Sequence, residues 1–404
     1  MKYDFTSIID RHDMDAIAVD SWGEIPGMAP NVPDEGFDRI PMWVADMNFA
    51  TVPTVQEHII QRAQHPMFGY FDPRAEYFDC IIEWQSRRNG VEGLLPEHIG
   101  YENGVLGGGV STLRAYVQPG DAVLVHSPTY IGFTKSIEAA GYRIVHSPLK
   151  LDDQGIWRMD FEDMEHKLEQ NHIHAAVFCS PHNPCGRVWE RDEIERAMDI
   201  YRQHDCVVIS DEIWSDIIRP GHKHIPTQSV SEDARMRTVA LYAPSKTFNL
   251  AGLVGSYHII YNETLRDRVC AVSNKTHYNE MNVLSMHALI GAYQPKGYEW
   301  VDELNEVIKD NVDYFCDYVD EHFKGVTYSR PQGTYMVFLD CTEWCRAHGR
   351  DIQWLLDEGA RVGVGYQDGR PFHGPCHIRV NLALPLSRVK EACVRLDRYV
   401  FNAQ

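Results

Sequence analysis

The sequence has little positive charge and no long apolar run. Its 404 residues include 38 lysines and arginines but 58 aspartates and glutamates, a formal net charge of −20. A surface this negative repels phosphate backbones and anionic lipid headgroups, and no run of basic residues offsets it. No apolar stretch approaches the ~20 residues of a membrane-spanning helix. We therefore expect no nucleic-acid partner and no membrane partner, and an anionic ligand would need a few local positive groups.

The ten cysteines are scattered and lack the dense, regular spacing of a secreted disulfide framework. Residues 1–5 include an acid and lack the apolar segment of a secretory signal. These features predict a cytoplasmic protein with reduced thiols.

A stretch rich in histidine and cysteine raises the alternative of a metal site. Neither it nor the later cysteine pair has the C-x-x-C or H-E-x-x-H spacing of known metal sites, and we expect no metal. Cys179 lies in an apolar run, where a thiol usually packs as a small hydrophobic group. The residues concerned are His172, His174, Cys179, His182, Cys185, Cys341 and Cys345.

Short apolar runs alternate with helical patterns in the middle of the chain. Hydrophobic residues make up 44% of the sequence and charged residues 24%, close to the average of globular proteins, and the length of 404 residues suggests two or three domains, or one large domain with a satellite. The runs at 122–125, 175–178, 207–209 and 239–242 are apolar on both faces, which is typical of parallel strands covered by helices. Between the second and third run, apolar residues recur at helical spacing from Ile194 to Tyr201. The pattern predicts an α/β fold with βαβ units.

The last hundred residues predict a smaller α+β domain, with a boundary near residue 290. Helical patterns cover 300–323 and 352–358, and a third begins at Ser387. Strand-like runs cover 334–339 and 377–382.

Each of the four apolar runs leads into a polar or small-residue segment. These segments are 126–130, 180–186, 210–212 and 243–246. In open α/β sheets, ligands bind beyond the carboxyl ends of the strands. Four such segments therefore predict one shared site.

Four features in or near these segments could carry chemistry, although each has a structural alternative. Lys246 follows a buried strand, where desolvation would make its amine nucleophilic, yet most such lysines only pack their stems. Asp211 would be partly buried and need a cationic partner, or it could form a structural ion pair. Asn183 lies in a tight turn, and the glycine-rich segment 103–112 opens a helix that could bind phosphate. Together they suggest one ligand with an aldehyde, a ring nitrogen, a ring hydroxyl and a phosphate, which describes pyridoxal phosphate.

Several motifs extend this hypothesis to most of the chain. They lie at 41–49, 180–186, 210–213, 243–252 and 378–385. With them the sequence resembles the fold type I pyridoxal-phosphate enzymes of the aspartate aminotransferase superfamily, and within it the MalY/PatB-like subgroup of cystathionine β-lyases. The resemblance implies a mostly parallel seven-stranded sheet with helices on both faces. It also implies a large cofactor domain at 49–290 and a small domain formed by 1–48 and 291–404.

The resemblance assigns roles to individual residues. Lys246 would bind the cofactor aldehyde covalently, Asp211 would pair with the pyridine nitrogen, and Asn183 would bond the ring hydroxyl. Tyr130 would stack on the ring. Arg379 would grip the carboxylate of a small amino-acid substrate through two hydrogen bonds.

The remaining implied contacts concern the phosphate. Val105 and Leu106 would offer backbone amides, and Ser245 would add a hydroxyl. Tyr70 would reach the phosphate of a neighbouring subunit, which implies a homodimer.

Four positions depart from the patterns of the superfamily or the subgroup. Trp214 replaces a tyrosine that bonds the ring hydroxyl in many superfamily members, and Val254 replaces a phosphate-binding arginine. Asn48 and Leu384 replace an aspartate and a cysteine of the subgroup.

The resemblance favours a β-lyase, which expels a thiolate and yields pyruvate and ammonia. An aminotransferase would use the same cofactor and the same lysine, and it is the main alternative. A non-catalytic regulatory role is the third reading.

Overall fold

The computed structural model describes residues 1–275 and 279–402. Fifteen strands occur in the described chain: β1 Ile40–Pro41, β2 Ile99–Glu102, β3 Ala122–Ser127, β4 Arg143–Pro148, β5 Lys150–Leu151, β6 Trp157–Arg158, β7 Ala175–Cys179, β8 Val207–Asp211, β9 Thr238–Tyr242, β10 Ser256–Ile259, β11 Thr327–Tyr328, β12 Met336–Asp340, β13 Val364–Gly365, β14 Gln367–Asp368 and β15 His377–Asn381.

The described α-helices also number fifteen: α1 Ile17–Asp20, α2 Pro53–Ala63, α3 Ala75–Asn89, α4 Val105–Tyr116, α5 Ile131–Ala139, α6 Phe161–Asn171, α7 Arg191–Gln203, α8 Glu232–Arg237, α9 Pro244–Thr247, α10 Glu263–Asn274, α11 Val283–Ala292, α12 Pro295–His322, α13 Thr342–His348, α14 Ile352–Arg361 and α15 Leu386–Leu396. Short 3₁₀ turns lie at Pro96–His98, Thr227–Ser229, Ala251–Leu253 and Arg370–Phe372, and a π-helical turn at Asp397–Phe401.

A seven-stranded sheet in the order β2-β10-β9-β8-β7-β3-β4 forms the centre of the fold. Strands β4, β3, β7, β8 and β9 pair in parallel, and β10 runs antiparallel between β9 and β2. The predicted mostly parallel sheet is therefore confirmed.

Alternate residues of the central strands face two separate helical layers. Val177 and Ile209 pack in a cluster with residues of α4, α5 and α10. Phe178 and Val208 pack in another with residues of α6 and α7. Because both faces are covered, the runs at 122–125, 175–178, 207–209 and 239–242 within these strands are apolar on both faces, which is why no alternating pattern appears there.

A smaller four-stranded antiparallel sheet follows, in the order β11-β12-β15-β14. Strand β1, near the N-terminus, pairs in parallel with β13 of the C-terminal region. The smaller α+β part is confirmed, whereas its boundaries at residues 49 and 290 stay a prediction.

The predicted elements of this part shift by a few residues at their ends. The long helix α12 begins at Pro295 instead of 300, since proline is favoured in the first turn of a helix. The predicted strand at 334–339 begins only at Met336, because Thr334 has a φ of 64°, outside the strand region.

The described residues show three further features. No helix among them is long and apolar enough to cross a membrane. All ten cysteines lie in the described part of the chain and are free thiols. No group of three or more histidine, cysteine or acidic side chains in residues 1–275 and 279–402 could hold a metal ion.

Candidate active site

Lys246 lies in α9, directly beyond the carboxyl end of β9. Its Nζ donates to the backbone oxygen of Ala45 over 3.1 Å. Burial lowers the pKa of Lys246 to about 8, with a further lowering from the Arg379 guanidinium, while Asp46 and Asp211 oppose the shift. The amine is therefore neutral in a sizeable fraction of molecules near pH 8, as a nucleophile or a general base must be.

Asp211 is the last residue of β8 and is 5% exposed. Its Oδ1 accepts from the backbone amide of Ile213 over 3.1 Å. Burial raises the pKa of Asp211 to about 7, although the positive charge of Lys246 opposes the rise. An ionised Asp211 would thus be stabilised by any cationic N–H group that a ligand brings to it.

The neighbouring Glu212 differs from Asp211, because its carboxylate has several hydrogen-bond partners within the protein. It accepts from Tyr242 Oη over 2.5 Å and from Ser210 Oγ over 2.9 Å, and it lies 2.8 Å from His224 Nε2. These partners hold the pKa of Glu212 low in spite of complete burial. Two adjacent carboxyl groups therefore differ: Glu212 is satisfied within the protein, whereas Asp211 keeps capacity for a ligand.

Arg379, on β15 of the smaller sheet, reaches the same site. Its Nη1 donates to Oδ1 of Asn183 over 3.1 Å, and its Nη2 donates to the Trp43 carbonyl over 3.3 Å and to Gln367 Oε1. The guanidinium lies 4.6 Å from the centre of the Phe372 ring. Burial lowers its pKa to about 10.

Two features leave Arg379 able to bind an anion. The residue is only 3% exposed, and its buried Nε has no hydrogen-bond partner. No carboxylate among the described residues lies within ion-pair distance of it. A buried cation in this state favours a carboxylate ligand.

Helix α4 begins where the glycine-rich segment was predicted to bind phosphate. Gly104 precedes it with a φ of 90°, a conformation that side-chain-bearing residues rarely adopt. Val105 and Leu106 are its first two residues, so their amides have no partner within the helix and point along its positive end. Ser245 lies in α9, next to Lys246.

Tyr130 and Trp214 add aromatic surface. Tyr130 directly precedes α5, and a β-carbon at Gly132 would lie 2.3 Å from its ring, so that glycine permits the position of the ring. Trp214 is 1% exposed, packs edge-on against Tyr335 and has its ring centre 5.9 Å from Lys246 Nζ. The ring that replaces the usual tyrosine thus lines the lysine without offering a hydroxyl.

Two predicted positions lie outside this cluster of contacts. Tyr70 lies in a loop and is fully exposed in the single chain. Val254 is 46% exposed and has a φ of 45°. The contact of Tyr70 with a neighbouring subunit stays a prediction.

Two asparagines that the sequence patterns did not identify hold the turn at 44–48 over Lys246. Asn381 Nδ2 donates to the carbonyls of Val44 and Asp46, each over 2.7 Å. Asn249 accepts from the amide of Met47 over 3.0 Å and donates to its carbonyl over 2.9 Å. Both asparagines lie inside the motifs at 378–385 and 243–252, two residues after Arg379 and three after Lys246, and that spacing was the available signal.

The donor set fits pyridoxal phosphate. Asp211 offers a buried carboxylate for a protonated ring nitrogen, and the start of α4 offers amides for a phosphate. Asn183 uses its Oδ1 for Arg379, which leaves its Nδ2 to donate to a ring oxygen. Lys246 offers an amine for the aldehyde.

Comparison with known proteins finds similarity to pyridoxal-phosphate enzymes. Cystathionine beta-lyase PatB of Bacillus subtilis is 32% identical over 390 residues, which cover 96% of this chain and 97% of that protein. A PLP-bound C-S lyase from Staphylococcus hominis superposes with a TM-score of 0.87 at 29% identity, with 98% of each chain covered. A PLP-bound putative aminotransferase from Clostridium difficile gives a TM-score of 0.89 at 29% identity and covers 99% of this chain and 100% of its own. The model of the family "Aminotransferase class I and II" matches residues 40–396, and the chain therefore belongs to that family.

Proposed function

We propose that this protein is a pyridoxal-phosphate-dependent carbon–sulfur β-lyase, which cleaves cystathionine or related cysteine S-conjugates to a thiol, pyruvate and ammonia. The observation that carries the proposal is the grouping of Lys246, Asp211 and Arg379 around one buried site. Full-length similarity to PatB and to the staphylococcal C-S lyase supports the choice of reaction.

The cofactor would be held by groups from both sheets. Lys246 would bind its aldehyde, Asp211 would keep its ring nitrogen protonated, and Asn183 would donate to its ring oxygen. Tyr130 would cover the ring. The amides of Val105 and Leu106 and the hydroxyl of Ser245 would bind its phosphate.

When bound, pyridoxal phosphate supplies an electron sink for negative charge at the substrate α-carbon. Arg379 binds the substrate carboxylate, which fixes the orientation of the α-carbon. Lys246, whose pKa burial brings to about 8, takes the α-proton as general base. In a lyase the electron pair left at the α-carbon then forms a double bond to the β-carbon as the bond to sulfur breaks, the thiolate leaves and takes up a proton, and one water converts the remaining three-carbon fragment to pyruvate and ammonia.

We also propose that the protein works as a cytoplasmic homodimer. Tyr70 is exposed in the single chain, as expected for a side chain that contacts a second subunit. Ten free thiols suit a reducing compartment.

Steady-state assays without a keto acid test the reaction. Purified protein with bound cofactor is incubated with cystathionine, and pyruvate and free thiol are measured together. We expect many turnovers per site with equal amounts of both products. A single half-turnover that stops until a keto acid is added would instead identify an aminotransferase.

A panel of sulfur amino acids then identifies the leaving group. Cystathionine, cystine, cysteine and S-alkyl cysteines present the same amino-acid head to Arg379, so differences in kcat/KM report the leaving group, through its contacts with the protein and its basicity. The free amino acid serine, which has the same amino-acid head but no sulfur, serves as the matched control for the head group.

A further inference from the structure

Arg11, in the N-terminal segment, contacts the turn that covers the lysine. Its Nη2 lies 2.6 Å from Asp46 Oδ2, and its Nη1 donates to Asn48 Oδ1 over 3.1 Å and to the Met47 carbonyl over 3.2 Å. The Arg11 and Asp46 side chains are 19% and 22% exposed, so their ion pair is largely shielded from water. One guanidinium thus binds three consecutive residues.

The same turn, at 44–48, faces Lys246. The Ala45 carbonyl accepts from Lys246 Nζ over 3.1 Å. The Asp46 carboxylate also acts on Lys246 through its charge, and so do Asp211 from β8 and Arg379 from β15. Arg11 therefore does not contact the lysine, but it binds the three residues that directly follow Ala45, which does.

The N-terminal segment has few other attachments near this point. Phe5 is buried, with its ring 5.2 Å from that of Phe49 and 5.5 Å from that of Trp300. The next apolar side chains, Ile8 and Ile9, are 63% and 47% exposed. Lys2 and Tyr3 bind Glu303 near the start of the segment, and Arg11 attaches the segment again, six residues after Phe5.

We propose that Arg11 is a positioning residue, which fastens the N-terminal segment to the turn at 44–48 and reduces the effect of the Asp46 carboxylate's charge on Lys246. The proposal rests on the proposed cofactor chemistry of Lys246. It assigns a role to a residue that binds no ligand, and it predicts a coupling between the N-terminal segment and the protonation of the lysine.

The physical reason lies in the charges that face the lysine. With Arg11 present, the Asp46 carboxylate is partly neutralised at short range. Without it, the carboxylate favours the protonated lysine, because an opposite charge stabilises the charged form of a titrating group. The base would then become available only at higher pH.

The first experiment titrates the protein with bound cofactor and no substrate. The pH midpoint of the cofactor's absorbance change reports the protonation of the nitrogen of Lys246. We expect Arg11→Gln to raise this midpoint by about half a pH unit or more. Arg11→Lys should restore part of the shift, because lysine keeps the charge but lacks the fork that also reaches Asn48.

A double variant distinguishes the effect of the unbalanced Asp46 charge from a structural effect of losing Arg11. In Arg11→Gln/Asp46→Asn the unbalanced carboxylate is gone, so the midpoint should return to within about 0.2 pH unit of the wild-type value. Arg219→Gln is the matched control, because Arg219 also forms a largely shielded ion pair, with Asp313, but does not face Lys246. It should leave the midpoint unchanged.

Limited proteolysis gives a readout that does not need the cofactor. Cleavage between Phe5 and Arg11 should be faster in Arg11→Gln and in the double variant than in the wild type and in Arg219→Gln. An unchanged midpoint in Arg11→Gln, or a raised midpoint that persists in the double variant, would overturn the proposal. If no variant binds cofactor, the proposed function fails, and unchanged proteolysis of Arg11→Gln would then overturn the attachment independently.

Discussion

Replacement of Asp211 by asparagine should stabilise the cofactor-free protein while it removes the reaction. Asp211 is almost fully buried, and burial raises its pKa from 3.8 to about 7. The asparagine keeps an Oδ1 that can accept from the amide of Ile213, so the local hydrogen bond is preserved. The variant therefore tests the cost of a buried carboxylate with little other change.

The magnitude follows from linkage between protonation and folding. A carboxyl group whose folded pKa lies above its unfolded value releases its proton in the unfolded chain first, so stability falls as pH rises between the two values. A rise of roughly three units at about 1.4 kcal/mol per unit gives a penalty of about 4 kcal/mol above pH 7. At pH 5 the same calculation leaves a penalty of only about 1.5–2 kcal/mol.

Urea unfolding of the cofactor-free chain at pH 5 and pH 8 measures this difference. The stability advantage of Asp211→Asn over the wild type should widen by about 2–3 kcal/mol between the two values of pH. Asp267→Asn is the matched control, since Asp267 is exposed, and its difference from the wild type should not change with pH. If the advantage of Asp211→Asn does not widen, Asp211 is not the strained carboxylate that the structure indicates.

Three further substitutions test the site. Lys246→Ala should lower pyruvate formation by about 10³-fold or more, since it removes both the covalent attachment and the base, and mass spectrometry of the reduced holoenzyme should find no cofactor on the chain. Arg379→Lys should lower kcat/KM by about 10–100-fold, mainly through KM, because lysine cannot replace the two-pronged contact. Mixing inactive Lys246→Ala with impaired Tyr70→Ala subunits should restore about a quarter of wild-type activity, because the mixed dimer of a symmetric pair contains one intact site. Steady-state kinetics measure the last two effects, and no recovery on mixing would contradict the proposed dimer contact.

The local part of the site could be predicted from the sequence. Asp211 and Lys246 each follow an apolar run, and parallel strands bring their carboxyl ends to one edge of the sheet. The pattern of apolar runs was therefore enough to predict that the two side chains lie close together. The start of α4 was predicted for a similar reason, because glycine before a helix is a local signal. Such features depend on neighbours within a few residues.

The long-range part of the site could not be predicted in this way. Arg379 was placed only by resemblance, since its partner Asn183 is 196 residues away in the chain. Asn381 and Asp46 are 335 residues apart, and Arg11 and Asp46 are 35 apart, across segments with no regular periodicity. Hydrophobic periodicity indicates which face of an element is buried, but it contains no information on which polar side chains meet across two sheets.

A net charge of −20 disfavours an anionic ligand, but buried groups at the site can offset this effect locally. Arg379 is buried without a carboxylate partner, and burial lowers its pKa, so the free site contains a cation that water does not stabilise. Asp211 and Lys246 are shifted by burial in the same sense, each toward its neutral form. In the proposed function, the protonated ring nitrogen and the aldehyde of the cofactor would relieve Asp211 and Lys246, and the carboxylate of the substrate would relieve Arg379. This electrostatic selection acts over a few ångströms and would therefore be insensitive to the negative surface.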